Sequence, residues 1–130
     1  MSVEKINIGE VSLGEFTVDD VWYHMMTGMA DPEEMKLFCQ KLLGAVFGKG
    51  NYVEISLVDD ASEILVTTLK DLPSEERRGI IIALYFADIT PAELARRMNV
   101  TPATIYRKKK TILRQLRLPV YQFTSLHAEN

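Results

Sequence analysis

The sequence predicts a mainly α-helical protein, and three observations carry that prediction. Apolar residues recur at helical spacing through most of the chain, several segments open on a capping residue followed by proline or acids, and the sharpest break is a run of two glycines and an asparagine. Together they give a carboxy-terminal domain of three to four helices that includes a helix-turn-helix, preceded by a small helical amino-terminal region. At 130 residues the chain fits one domain, or one small domain with an extension, and can bury a modest core.

Residues 1–15 have neither helical period nor clean strand alternation, so they read as an arm without assigned structure. Thr17 then offers a helix cap. Its hydroxyl can accept an orphan backbone N–H while Asp19 and Asp20 sit at the positive end of a helix running to about Met29. Asp31 and Pro32, followed by Glu33 and Glu34, mark a second start, and that helix runs through Phe38 and Leu43 toward Phe47. Gly48-Lys49-Gly50-Asn51 ends it. Val53 to Leu57 alternates apolar and polar residues in the manner of a short strand, with no evident partner. From Ala61 helical signals return, with Ile64, Leu65 and Leu69 in phase before Asp71-Leu72-Pro73-Ser74 interrupts them. The next helix opens near Ser74, carries Ile80, Ile81, Leu84 and Tyr85 on one face and stops by Asp88.

Ile89 to Leu118 contains two capped starts in quick succession. Thr90-Pro91-Ala92-Glu93 has the form of a capping box, with Thr90 accepting from the Glu93 N–H and Glu93 reaching back to the N–H of Thr90. The short helix it opens runs to Met98. Asn99 tolerates the left-handed backbone of a sharp turn, and Thr101-Pro102 opens the following helix. Two helices joined by a turn of three to four residues are the outline of a helix-turn-helix. Leu94, Ala95 and Met98 from the first helix, Val100 in the turn, and Ile105, Ile112 and Leu116 from the second form the predicted inner face. At about 100° per residue, Ala103, Arg107, Lys110 and Arg114 point outward, with Thr104 and Thr111 beside them. Lys109 falls on the core side, where its stem must snorkel.

Charge divides the chain in the same place. Residues 1–69 carry four basic residues against twelve acidic ones, a balance of −8, whereas residues 70–130 carry eleven against six, a balance of +5. Within 91–118 eight cations face only Glu93, so the net charge of −3 conceals a basic stretch short enough to form one surface. Duplex DNA recruits such a surface by release of counterions, and the second helix of the motif enters the major groove. The expected DNA-contacting residues are Thr101, Ala103, Thr104, Tyr106, Arg107, Lys108, Lys110, Thr111 and Arg114. Arg107 is the base reader, since its planar fork matches guanine O6 and N7, and Lys108, Lys110 and Arg114 are backbone anchors.

These residues resemble a known family. Glu63-Ile64-Leu65, Leu69 to Pro73, Arg77 to Tyr85, Ile89 to Ala95 and Val100-Thr101-Pro102-Ala103-Thr104-Ile105-Tyr106 look like region 4 of the sigma-70 family, and in particular like small sigma-like regulators carried on conjugative transposons and related mobile elements. The resemblance covers Ala61 to Leu118. It implies a four-helix domain whose last helix reads promoter DNA and whose opposite surface touches RNA polymerase. The acidic first half lacks the basic, aromatic-rich helix of a strand-melting region 2, so the likeness is to region 4 alone.

The domain layout that follows is an acidic helical region over 1–60, a DNA-binding domain over 61–120 and a tail over 121–130. The expected partners are double-stranded DNA and RNA polymerase. The alternative is an adaptor whose acidic half binds a protein partner or pairs with itself as a homodimer, the helix-turn-helix being structural or binding RNA. His24 near Met25, Met26 and Met29 suggests a soft metal site, but methionines at helical spacing are the ordinary filler of cores. Cys39, the single cysteine, has no orienting third residue for nucleophilic chemistry. No enzyme activity, cofactor or metal is expected. The polar start, the absence of a long apolar run and the unpaired cysteine lead to the expectation of a cytoplasmic protein that does not enter membranes.

Overall fold

A computed structural model describes residues 6–47 and 61–128 of the chain. The Gly48–Asn51 turn and the alternating Val53–Leu57 segment lie outside them. The protein is mainly helical: α1 (Val18–Met26), α2 (Pro32–Phe47), α3 (Ala61–Lys70), α4 (Glu75–Ile81), α5 (Pro91–Met98) and α6 (Pro102–Ala128). No strand occurs among the described residues, and Ser12 and Thr17 form an isolated antiparallel bridge. No helix among them is long and apolar enough to cross a membrane.

Local chemistry sets most of the boundaries. Thr17 and Asp20 cap α1 reciprocally, the hydroxyl accepting from the Asp20 N–H at 3.2 Å and the carboxylate from the Thr17 N–H at 2.9 Å. The helix closes at Met26, three residues earlier than its apolar spacing predicts. There the Thr27 hydroxyl donates to the Tyr23 carbonyl at 2.8 Å, and Gly28 takes a φ of +76°. Met29 therefore lies past the helix and is 67 % exposed; Met26 is exposed too, and only Met25 fills the core. The expectation that all three are core filler is corrected accordingly, because neighbours on a helix differ by about 100° in direction. Asp31 accepts from the Glu33 N–H at 2.9 Å at the start of α2, whose Met35, Phe38, Cys39, Leu42, Leu43 and Val46 are buried.

Residues 6–11 are more regular than their pattern predicts. Asn7 accepts from the Gly9 N–H at 2.8 Å and opens a 3-10 turn over Ile8–Glu10, which seats Ile8 and Val11 in the core. The Ile6 N–H donates to the Met98 carbonyl at the end of α5, at 3.1 Å. Such placement is fixed by tertiary contacts with residues distant in sequence, and no local period records it.

α4 does not present one apolar face. It passes directly into a π-helical turn over Ile82–Phe86, in which the Ala87 N–H reaches the Ile82 carbonyl at 3.1 Å. Ile80, Ile81, Ile82, Ala83 and Leu84 are all buried, and Tyr85 is half-buried. α4 packs against α1, α6 and the 3-10 turn, while the π turn meets α1, α2 and α5. A segment surrounded in this way must be apolar on every side. Gly79 is where the packing is closest: a Cβ there would lie 2.8 Å from Ile8 Cγ1 and 3.2 Å from Val18 Cγ1.

Among the described residues the buried hydrophobic side chains form one cluster from Ile8 to Leu116. It crosses residue 60, the boundary drawn from composition, with Trp22, Phe38 and Leu42 in the same core as Ile81, Leu94 and Ile112. Arg78 of α4 adds a cation–π contact at 4.4 Å from the Trp22 ring of α1, and Lys41 of α2 is bonded to Asp88 at 2.7 Å. α6 continues to Ala128, through the segment expected to be a tail.

Candidate nucleic-acid interface

The candidate surface is organised by α5, the turn at Asn99–Thr101 and α6. Thr90 accepts from the Glu93 N–H at 3.2 Å, as its position predicts, with Pro91 at the first helical place. Glu93 does not return to the Thr90 N–H. Its carboxylate is taken by Arg96, and by Arg97 at 2.9 Å, because guanidinium donors one turn onward outcompete a neutral backbone N–H for an anion. These two arginines hold the Glu93 carboxyl at about 2, below its ordinary 4.5. Arg97 also donates to the Ser12 carbonyl at 2.6 Å, tying the amino-terminal arm to α5.

Asn99 caps α5 with φ 58° and ψ 41°, the left-handed conformation expected of it. Its N–H and that of Val100 return to the carbonyls of Arg96 and Ala95 at 3.3 and 3.0 Å. Thr101 then accepts from the Thr104 N–H at 3.3 Å, and the two hydroxyls share a hydrogen bond at 2.8 Å. Leu94, Ala95, Met98, Ile105, Ile112 and Leu116 are buried, and Val100 packs against them from the turn.

With that side of α6 anchored, its opposite side is fixed. Ala103, Arg107, Lys110 and Arg114 are exposed, Thr101 is exposed beside them, and Tyr106 is 55 % exposed. Thr104 and Thr111 are half-buried at the flank, where the Thr111 hydroxyl donates to the Arg107 carbonyl at 3.1 Å. The spacing from Ala103 through Arg107 and Lys110 to Arg114 follows three- and four-residue steps, so these positions form a stripe along the helix. Lys109 lies over the Tyr85 ring at 5.9 Å from its centre, which accounts for a cation on the core side.

Lys108 is placed differently from the other anchors. It is half-buried and its ammonium is paired with Glu76 near the start of α4. Around that pair is an open cleft of about 410 Å³, lined by Ser74, Glu76, Arg77, Arg107, Lys108 and Thr111. Sequence reasoning assigned no role to Glu76 or Arg77 at the surface. They lie about thirty residues from Arg107 and Lys108, and nothing in helical periodicity pairs the two segments.

The remaining reactive groups lie elsewhere. Cys39 is fully buried, and burial raises its thiol to about 11, so it stays protonated near neutrality. His24 stacks edge-on against Phe16 at 4.7 Å. Among the described residues no group of three His, Cys, Asp or Glu side chains is positioned to hold a metal ion. Comparison with protein-family models, characterised proteins and solved structures yields no match.

Proposed function

We propose that this protein is a sequence-specific DNA-binding transcription regulator in which α5, the Asn99 turn and α6 act as a helix-turn-helix. The observation that carries the reading is the exposed stripe of Ala103, Arg107, Lys110 and Arg114, backed by a buried apolar face on the same helix. A helix in the major groove needs this division: one side anchored in a core, the other offering small residues and cations to bases and phosphates. On this reading Arg107 addresses a base edge, Thr101, Thr104, Tyr106 and Thr111 flank it, and Lys110 and Arg114 engage the backbone. The likeness to sigma-70 region 4 adds a promoter as the setting and RNA polymerase as the partner. Titration of duplex DNA against wild type and Arg107→Ala tests it. The substitution should weaken binding to the preferred sequence by about 1–3 kcal/mol and relax discrimination at one base position. Binding that ignores both salt and the substitution would remove the proposal. Sequencing the fragments that the full chain retains from a random duplex pool supplies the preferred site.

A second reading, an adaptor or self-pairing protein, is favoured by one observation. Phe16, Tyr23, Met26, Met29 and Leu37 are exposed in the acidic half, where Glu15, Asp19, Asp20, Glu33 and Glu34 are exposed as well. Large apolar side chains in contact with water are common at interfaces. The paired substitution Tyr23→Ser and Met29→Ser in the full chain should abolish polymerase binding or self-association on this reading. An unchanged sedimentation profile with polymerase and without it would exclude it.

A further inference from the structure

The cleft between α4 and α6 combines features that phosphate recognition requires. Arg77 of α4 and Arg107 and Lys108 of α6 line it, together with Ser74 and Thr111. Three cationic residues from two separate helices thus border one concave space. Cations gathered in this way repel each other unless an anion sits among them, and in the free protein that anion is the Glu76 carboxylate, bonded to Lys108. A carboxylate and a phosphate make the same demand on such donors, namely charge-assisted hydrogen bonds to oxygen. The cleft also adjoins the stripe on α6, since Arg107 belongs to both. A nucleic-acid strand lying along that stripe would bring its sugar-phosphate backbone past the cleft mouth.

We propose that Glu76 is an intramolecular competitor for a backbone phosphate. It holds Lys108 in the free protein and gives it up when a phosphate of the bound duplex enters the cleft between α4 and α6. The inference rests on the DNA-binding reading and assigns one regulatory contact within that surface. Lys108 thus differs from Lys110 and Arg114, for it engages DNA only after an internal ion pair opens. The exchange replaces one carboxylate by one phosphate oxygen, so affinity is lowered by the strength of the pair, and selectivity for a correctly seated strand rises because a loosely held strand does not displace Glu76.

The test uses the full chain and a duplex of its preferred sequence, titrated over a range of salt concentrations. Glu76→Gln should tighten binding about two- to fivefold, the range that a partly exposed ion pair corresponds to. Glu75→Gln, which removes the same charge from an exposed neighbouring position, is the control for general electrostatics. If both variants gain equally, the effect is long-range charge alone and the inference is overturned. In a Lys108→Met background the gain from Glu76→Gln should disappear, and a gain that persists overturns it as well. Lys108→Met alone should weaken binding and make the salt slope less negative by about 0.9, the value of one phosphate contact. Should Glu76→Gln lower the melting temperature, Glu76→Asp, which keeps the charge but shortens its reach, replaces it and should also tighten binding; binding at the wild-type level would then count against the proposal. Wild type that binds while Glu76→Gln matches it refutes the competitor and leaves the DNA reading standing. Wild type and all variants failing to bind refutes the DNA reading itself.

Discussion

Lys110 and Arg114 lie one helical turn apart on the exposed stripe of α6, and among the described residues neither is engaged by a carboxylate. Both are therefore available to phosphates without opening an internal contact. If the proposed DNA-binding surface is right, replacing the pair by glutamine removes two backbone contacts, and each contributes about −0.9 to the slope of log affinity against log salt, so the variant slope should be less negative by about 1.8. Over a fourfold rise in salt, from roughly 50 to 200 mM, the wild type should then lose roughly tenfold more affinity than the variant. Fluorescence anisotropy of a labelled duplex, titrated at four or more salt concentrations, measures both slopes directly. Circular dichroism melting of the variant checks that the exposed substitutions leave the fold intact, which surface changes of this kind should do within about 0.5 kcal/mol. Parallel slopes for the two proteins would refute the reasoning, since phosphate contacts cannot be lost without a change in counterion release.

Gly79→Ala places a methyl 2.8 Å from the side chain of Ile8 and should destabilise the protein by about 1–3 kcal/mol in urea unfolding, with exchange protection lost first around Ile8; a neutral outcome would mean that the amino-terminal arm packs elsewhere. Asn99→Val forces a branched side chain into the left-handed region at the end of α5 and should cost about 1–2 kcal/mol more than Asn99→Gly, which adopts that conformation freely; a glycine variant that melts below the valine variant would contradict the backbone geometry. Glu93 titrates at about 2 when folded, below the 4.5 of a free carboxyl, so its contribution is complete above the higher value and is lost as pH falls toward the lower one. Glu93→Gln should flatten that part of the stability profile, and an unchanged acid limb in urea midpoints would show that the Arg96 and Arg97 contacts add nothing. Cys39, protonated and buried, should react with an aromatic disulfide reagent only on unfolding, and rapid stoichiometric labelling of the native protein would contradict its position.

Features that depend on a few consecutive residues were legible in the sequence. Thr17 as a cap, Thr90 with Pro91, the left-handed Asn99 and the helix start at Pro102 are all local, and the inward set of Ile105, Ile112 and Leu116 follows from a single helical phase. The outward direction of Arg107, Lys110 and Arg114 follows from the same phase. What escaped was non-local or broke the period. The π turn after Ile81 inserts backbone that no 3.6-residue template contains, so a one-sided reading of Ile80 to Tyr85 could not reveal that Ile82 and Ala83 are enclosed too. The arm carries Ile8 and Val11 into the core through contacts with α1 and α4, and the Glu76–Lys108 pair joins residues thirty-two apart. Glu93 shows a subtler failure: the capping motif was correctly located, but two arginines compete for the same carboxylate.

The single apolar cluster has a practical consequence for how this chain can be divided. A fragment beginning at Ala61 would strip α1 and α2, which pack on the π turn and share its core, and leave that interior wet. The basic helices are thus not a detachable cassette. Grafting them onto another protein, or swapping the acidic half for a different one, would have to rebuild the shared interior first, and experiments that dissect the two ends are better made with point changes than with scissors.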